Sequence, residues 1–299
     1  MKPDPSPHTR GFVITATGVL ILCPDTLLIR LAQAQGLDQW TIAFWRGIFT
    51  AAGLLVFYRI LEGKGALKEA LKPNAWMVFA ALVMGVQALA FVLSIANTAV
   101  ANTLVIIATG PLFTALLAWL FLKERPPLRT WITIAAALVG MLTIFHHDLN
   151  SEGLPGDALA LVSAIGLGGT FVIVRHRKAV NMMPAMSAGT FLSALAVLPA
   201  AAPLAINPEG LDLLVLQGLL VMPLSFGLLT LGPRYLPAPE VSLLLLMETV
   251  LAPWIVWMAI GEPVSNTTAL GGAVILIALA VNAGVALSKR GRAARSPSR

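Results

Sequence analysis

The sequence predicts an all-α polytopic membrane protein: ten transmembrane helices arranged as two inverted five-helix repeats. Three observations predict it. The chain of 299 residues is 58% hydrophobic and only 11% charged, against about 25% charged in an ordinary soluble domain. Its apolar residues fall in runs of roughly 20, the length at which a helix crosses a bilayer. The stretch Ala101 to Glu124, ANTLVIIATGPLFTALLAWLFLKE, returns at Pro239 to Glu262 under an ungapped shift of 138 positions. The shift lays Trp119 on Trp257, Glu124 on Glu262 and Thr130 on Thr268, and Leu82-Val83-Met84 on Leu220-Val221-Met222. Matches among Leu and Val are cheap in such a chain, so the tryptophan and the glutamate carry the repeat. The placement of Lys and Arg between the apolar runs, taken up below, agrees with them.

In order, the spans are expected at 11–33, 39–60, 74–97, 100–122, 129–147, 156–176, 184–205, 211–234, 238–260 and 267–287. The connections are short, so consecutive spans are antiparallel neighbours, and neither 61–73 nor 148–155 has room for a soluble domain. The first run is kept as a span rather than a cleaved signal, although Ala32-Gln33-Ala34 has the small-x-small form. Pro24 and Asp25 interrupt its apolar core and Arg30 sits near its end, which does not suit a signal peptide. The organisation is a short N-terminus (1–10), a first repeat (11–147), a second repeat (156–287) and a basic tail (288–299).

The positive-inside bias then sets orientation. With the N-terminus cytoplasmic, the inside segments hold Lys2 and Arg10, then Arg59, Lys64, Lys68 and Lys72, then Lys123, Arg125 and Arg129. They also hold Arg175, Arg177, Lys178 and Arg234, and the tail from Lys289 to Arg299, which makes 18 of the 20 Lys and Arg residues. Outside connections carry Asp38, Asp148, Glu152, Asp157, Glu209, Asp212 and Glu262 instead. Both termini are expected in the cytoplasm. Five spans per repeat is an odd number, so the halves must be inverted, with Glu124 inside and Glu262 outside. Inverted repeats place a binding site at their interface near mid-membrane.

The net charge of +6 does not read as nucleic-acid binding, since the basic residues punctuate apolar runs and the tail lacks interleaved aromatics. That tail suits anionic lipid headgroups. A single cysteine, Cys23, excludes an internal disulfide and a Cys-based zinc site. His146-His147-Asp148 reads as a solvated helix end, because three consecutive residues do not converge on one ion unaided. No metal or cofactor is expected.

Ionisable residues inside spans are expensive in lipid and should face the interior. Asp25 lies about eight residues from the outer end of the first span and Arg46 about six into the second, so their depths differ by only ~3 Å. They are expected to form a structural ion pair. Glu248, mid-way along the ninth span, can bind a substrate ammonium, carry a proton, or simply pack as a hydrogen-bonded residue. Glu240 reads as structural, beside Arg234. A candidate substrate face runs along the third span at Met84, Gln87, Phe91 and Ser94, with repeat partners Met222, Ser225, Leu229 and Gly232. Phe171 from the Gly-rich sixth span and Phe226 complete an apolar lining with a few polar hooks, suited to an amino acid with a large side chain. Ordinary helix packing explains any one of these residues better than binding does, so the expectation rests on the set as a whole. Pro24, Pro111, Pro223, Pro233 and Pro253 mark kinks, as hinges or as fixed shape.

These features resemble the drug/metabolite transporter superfamily, in its ten-span, two-repeat branch. The likeness rests on the text closing the fourth span, Gly261-Glu262 after the ninth, Phe44-Trp45-Arg46 in the second and Glu248 in the ninth. Lys123 in place of the glycine before Glu124, and Cys23-Pro24-Asp25, depart from the pattern. Length and layout look most like the bacterial aromatic amino acid exporters. The resemblance implies a bacterial inner-membrane protein that exports aromatic and other neutral amino acids with broad specificity by alternating access. Its partners would then be amino acids and membrane lipids, as a monomer or an oligomer the sequence leaves open. Export of another small metabolite or drug is the alternative, and an intramembrane enzyme or a channel a remoter one. No Walker-type loop is present to bind ATP, and His8, His146, His147 and His176 all lie near membrane edges, away from any acid–base cluster.

Overall fold

Helices begin and end close to the edges of the apolar runs. The architecture is given by a computed structural model, which describes residues 7–63, 65, 75–123, 128–148, 153–176, 181–231 and 238–295. The first span is two helices, α1 (Pro7–Leu22) and α2 (Asp25–Ala34), parted at Cys23 and Pro24. Proline has no N–H to donate back and its ring crowds the preceding turn, so the chain breaks there. α3 (Gln39–Glu62) and α4 (Ala75–Asn97) form the second and third spans. The fourth is α5 (Val100–Ile107) and α6 (Gly110–Leu122), parted just ahead of Pro111. α7 (Leu128–Asp148), α8 (Leu154–His176) and α9 (Met183–Val197) follow. The eighth span joins α10 (Pro208–Val215), a π-helical turn at Leu216–Val221 and α11 (Met222–Leu231). The last two are α12 (Ala238–Ile260), unbroken through Pro253, and α13 (Asn266–Arg295).

Two boundaries differ from expectation. The seventh helix stops at Val197 rather than near 205, because Pro199 and Pro203 cannot continue it. The tenth runs on through the basic tail to Arg295, where cations suit the negative end of the helix dipole. Glu124, Arg234 and Pro233, and the side chains of Glu240, Phe171, His146 and His147, lie outside the described residues.

Large apolar side chains cover the outside, and a set of polar groups is buried among the apolar core. Phe121, Leu142, Trp254, Trp257 and Ile277 are exposed, whereas Asp25, Arg46, Thr50, Ser94, Thr103 and Gln217 are buried. That arrangement matches a lipid solvent. Five segments are long and apolar enough to cross a membrane, and five shorter apolar helices occupy the remaining span positions.

A pseudo-twofold relation shows in how the spans pair. The second packs on the seventh, the fifth on the tenth and the fourth on the ninth, each a span against its own counterpart. The first packs on the eighth as the sixth packs on the third. Close crossings repeat in the same way: a Cβ on Gly85 would stand 2.6 Å from Gly189 O, and one on Gly53 would stand 2.6 Å from Gly218 O. The two halves run in opposite senses. Val100 N, at the start of the fourth span, donates to Glu262 Oε1 just beyond the end of the ninth, at 2.8 Å. Trp119 and Trp257 therefore sit on antiparallel helices. The C-caps of these helices also match, since Lys123 (φ 56°) and Gly261 (φ 73°), 138 positions apart, are both left-handed.

Candidate functional site

At the break in the first span, α2 starts with Asp25, only 2% exposed. Arg46 reaches it from α3, placing Nη2 3.0 Å from Asp25 Oδ2 with both side chains nearly sealed from solvent. Gln217, carried by the π-helical turn, donates from Nε2 to Asp25 Oδ1 at 2.6 Å and to Asp25 O at 3.1 Å. Removing two charges from water costs several kcal/mol each unless they are paired and hydrogen-bonded. Here the carboxylate has a donor on each oxygen, and the start of α2 adds favourable dipole charge. The Phe91 ring covers the guanidinium at 5.5 Å from its centroid, and Met222 Sδ lies 3.6 Å from Arg46 Nη2. The first, second, third and eighth spans thus meet at one charged centre.

Glu248 on α12 faces the same centre, near enough to Asp25 and Cys23 to interact electrostatically. Glu248 is half-buried. Among the described residues its carboxylate has no hydrogen-bond partner. The ninth span therefore brings a free acid beside the pair.

The predicted stripe divides between packing and accessible faces. Met84 is buried against Ala80, Ile173 and Ala185, facing the sixth and seventh spans. Ser94 shares a hydrogen bond with Thr103, and Ser225 donates back to Val221 O. Gln87, Phe91 and Phe226 are half-buried, and Gln87 stacks its Cβ over Gly166. Met222 touches Arg46.

A second polar network lies at the end that carries Glu262. Arg30 Nε stands 2.9 Å from Glu262 Oε2, while Arg30 Nη2 donates to Glu262 Oε1 at 3.2 Å and to Thr98 O at 2.6 Å. Thr98 Oγ1 donates to Asp157 Oδ1 at 2.8 Å, and Thr268 Oγ1 donates to Asn102 Oδ1. This clasp ties the first span to the connections after the third and ninth. An apolar groove of about 830 Å³ on the flank between α5, α12 and α13, walled by Val105, Val250, Trp254 and Leu276, carries no ionisable group. Among the described residues no three His, Cys, Asp or Glu converge as metal ligands.

Sequence reasoning named Arg30 and Glu262 without joining them, and missed Gln217. Gln217 did leave a signal, being the one amide within the apolar eighth span.

Inverted five-helix units meeting at a polar, partly accessible interface are the construction of a secondary carrier. The chain belongs to the EamA-like transporter family, which matches residues 10–146 and 154–284, one match to each repeat. It is thus a transporter of the drug/metabolite superfamily. A solved crystal structure is similar over 92% of this chain and 97% of its own, with a TM-score of 0.62 and 16% identity, a likeness of fold. No curated protein matches the chain.

Proposed function

We propose that this transporter exports aromatic and other neutral amino acids by alternating access between its two inverted halves. The observation that carries the reading is Glu248: a half-buried carboxylate without a hydrogen-bond partner among the described residues, on the ninth span beside the Asp25–Arg46 pair. It stands where an ammonium or a proton would be taken up. Phe91, Gln87, Phe226 and Met222 supply apolar and polarizable surface for a large side chain, with Met84 and Ser225 behind them. Phe171 of the sixth span is included in the proposed lining from the sequence alone.

The Arg30–Glu262 clasp holds one end shut and must part when the cavity opens to that side. The basic bias of the opposite connections supports placing this end outside the cell, with both termini in the cytoplasm of a bacterial inner membrane. The test is transport by the purified protein in vesicles. Radiolabelled Phe, Trp, Thr and Met should each be taken up saturably and compete with one another. Uptake of none of them, with transport of another metabolite or drug, would remove the amino-acid reading. Replacing Glu248 by Gln should lower the maximal rate or abolish its pH response; normal values of both would take Glu248 out of the mechanism.

A further inference from the structure

The charged centre beside Glu248 holds more polar capacity than an ion pair needs. Asp25 is fully engaged, one oxygen by Arg46 and the other by Gln217. Its partners are not. Arg46 Nε and Gln217 Oε1 are buried without a hydrogen-bond partner, as are the neighbouring hydroxyls of Thr26 and Thr50. The Gln217 amide nitrogen spends its donors on two oxygens of Asp25, and its own oxygen accepts from nothing. Orphaned buried polar atoms are rare in native proteins and each is costly. Several together on the first, second and eighth spans mark a place for something else.

We propose that Arg46, Gln217 and Glu248 form a recognition site for the two charged ends of an α-amino acid. Arg46 Nε takes the substrate carboxylate, and Gln217 Oε1 with Glu248 takes the ammonium. The leftover atoms have the right signs: one cationic donor, one neutral acceptor and one free acid. Asp25 is a positioning residue that fixes the guanidinium, with the Phe91 ring covering its face. Because Asp25 already offsets the charge of Arg46, a zwitterion adds no net charge to the interior. An amine alone leaves Arg46 Nε orphaned, and an acid alone leaves Gln217 and Glu248 unmatched. Phe91 and Gln87 then meet the side chain.

The fold does not demand this cluster. Phe79 stands at the repeat position of Gln217 and is exposed on a regular helix, and α9, the counterpart of α3, has no ionisable residue. Among the described residues a π turn occurs only where Gln217 sits, a feature common at functional sites.

This inference rests on the amino-acid reading above, and one experiment separates the two. Full-length protein in nanodiscs is titrated with phenylalanine, 2-phenylethylamine, 3-phenylpropionate and N-acetylphenylalanine. Each analogue that lacks or masks an end should bind at least about tenfold more weakly, the loss expected of one charge-assisted hydrogen bond. The double variant Arg46→Gln with Asp25→Asn removes both charges together and leaves neither buried alone. It should retain the fold and lose most of that discrimination. Phenylalanine bound and transported with analogues within about threefold of it, or discrimination unchanged in the double variant, overturns the site while the amino-acid reading stands. If no amino acid binds or moves, both fall. Should the double variant not fold, the wild-type titration decides.

Discussion

The Arg30–Glu262 clasp sets a population that can be moved by one atom-for-atom change, Glu262→Gln. The side chains are 18% and 21% exposed and their charged atoms 2.9 Å apart. At an effective dielectric of 20 the direct attraction is about 6 kcal/mol. Desolvation and side-chain ordering offset most of that, leaving about 2 kcal/mol for a charge-assisted interaction of this kind. Glutamine keeps one acceptor for Val100 N and Arg30 Nη2, but it loses the negative charge and sets an amide N–H where Oε2 faced Arg30 Nε. If the clasp forms only when this end is closed, the closed-to-open ratio falls roughly thirtyfold. The assay is alkylation of a Gln87→Cys reporter, in a Cys23→Ala background, by a membrane-impermeant thiol reagent added at the Glu262 face. The rate should rise with Glu262→Gln, and labelling from the opposite face should fall. Equal rates from both faces, in a variant that melts like its parent, would refute the clasp as a closing device.

Three further outcomes are expected. Lys123 holds a left-handed backbone that its repeat partner Gly261 adopts without strain, so Lys123→Gly should stabilise the detergent-solubilised protein by about 1 kcal/mol; a lowered melting temperature would count against this. Asp38 caps α3 by accepting from Trp40 N at 2.8 Å, Thr41 N at 3.0 Å and Thr41 Oγ1. Its partial burial pushes the carboxyl upward, but these donors hold it below the ordinary value. The charged cap therefore stabilises at neutral pH and is lost as pH falls through its lowered value, so Asp38→Ala should cost about 1 kcal/mol near pH 7 and less below about pH 4. Melting curves at both pH values check the difference. A reporter fused after Leu287 should read cytoplasmic, and an external reading would reverse the proposed orientation.

Much of the scaffold was legible because lipid imposes a simple rule: every backbone polar group must close within a helix, so apolar runs of one length read as spans. The repeat was visible through Trp119 and Trp257, and inversion followed from an odd span count. Pairing within the first two spans was accessible too, since helical rise alone put Asp25 and Arg46 at one depth. Other contacts lay beyond the pattern. Arg30 meets Glu262 across 232 positions, and no local spacing announces that. The substrate stripe shows a sharper limit. Periodicity finds a helix face, but a helix in lipid is apolar on every side, so it cannot say which face borders the interior space. Met84 therefore packs on the sixth and seventh spans, Ser94 bonds Thr103, and the half-accessible residues are Gln87 and Phe91.

The π turn was illegible for a related reason. Nothing in Leu216–Val221 differs in composition from its surroundings except Gln217 itself. Its bond to Asp25 is the observed fact that ties the eighth span to the break in the first. The caps that end the fourth and ninth spans obey the twofold relation, as Lys123 and Gly261 do, while the chemistry and the helix breaks do not: Phe79 faces outward on a regular helix where Gln217 turns in from a π turn. The division has a physical basis. Two conformations of similar energy are easiest to build from two equivalent halves, which exchange roles as the cavity changes sides. A cargo with unlike ends has no such symmetry, and a duplicated charge would be buried without a partner. The charged centre should therefore have no copy across the twofold relation, and the repeat positions of Asp25, Arg46, Gln217 and Glu248 hold Ser163, Pro184, Phe79 and Gly110.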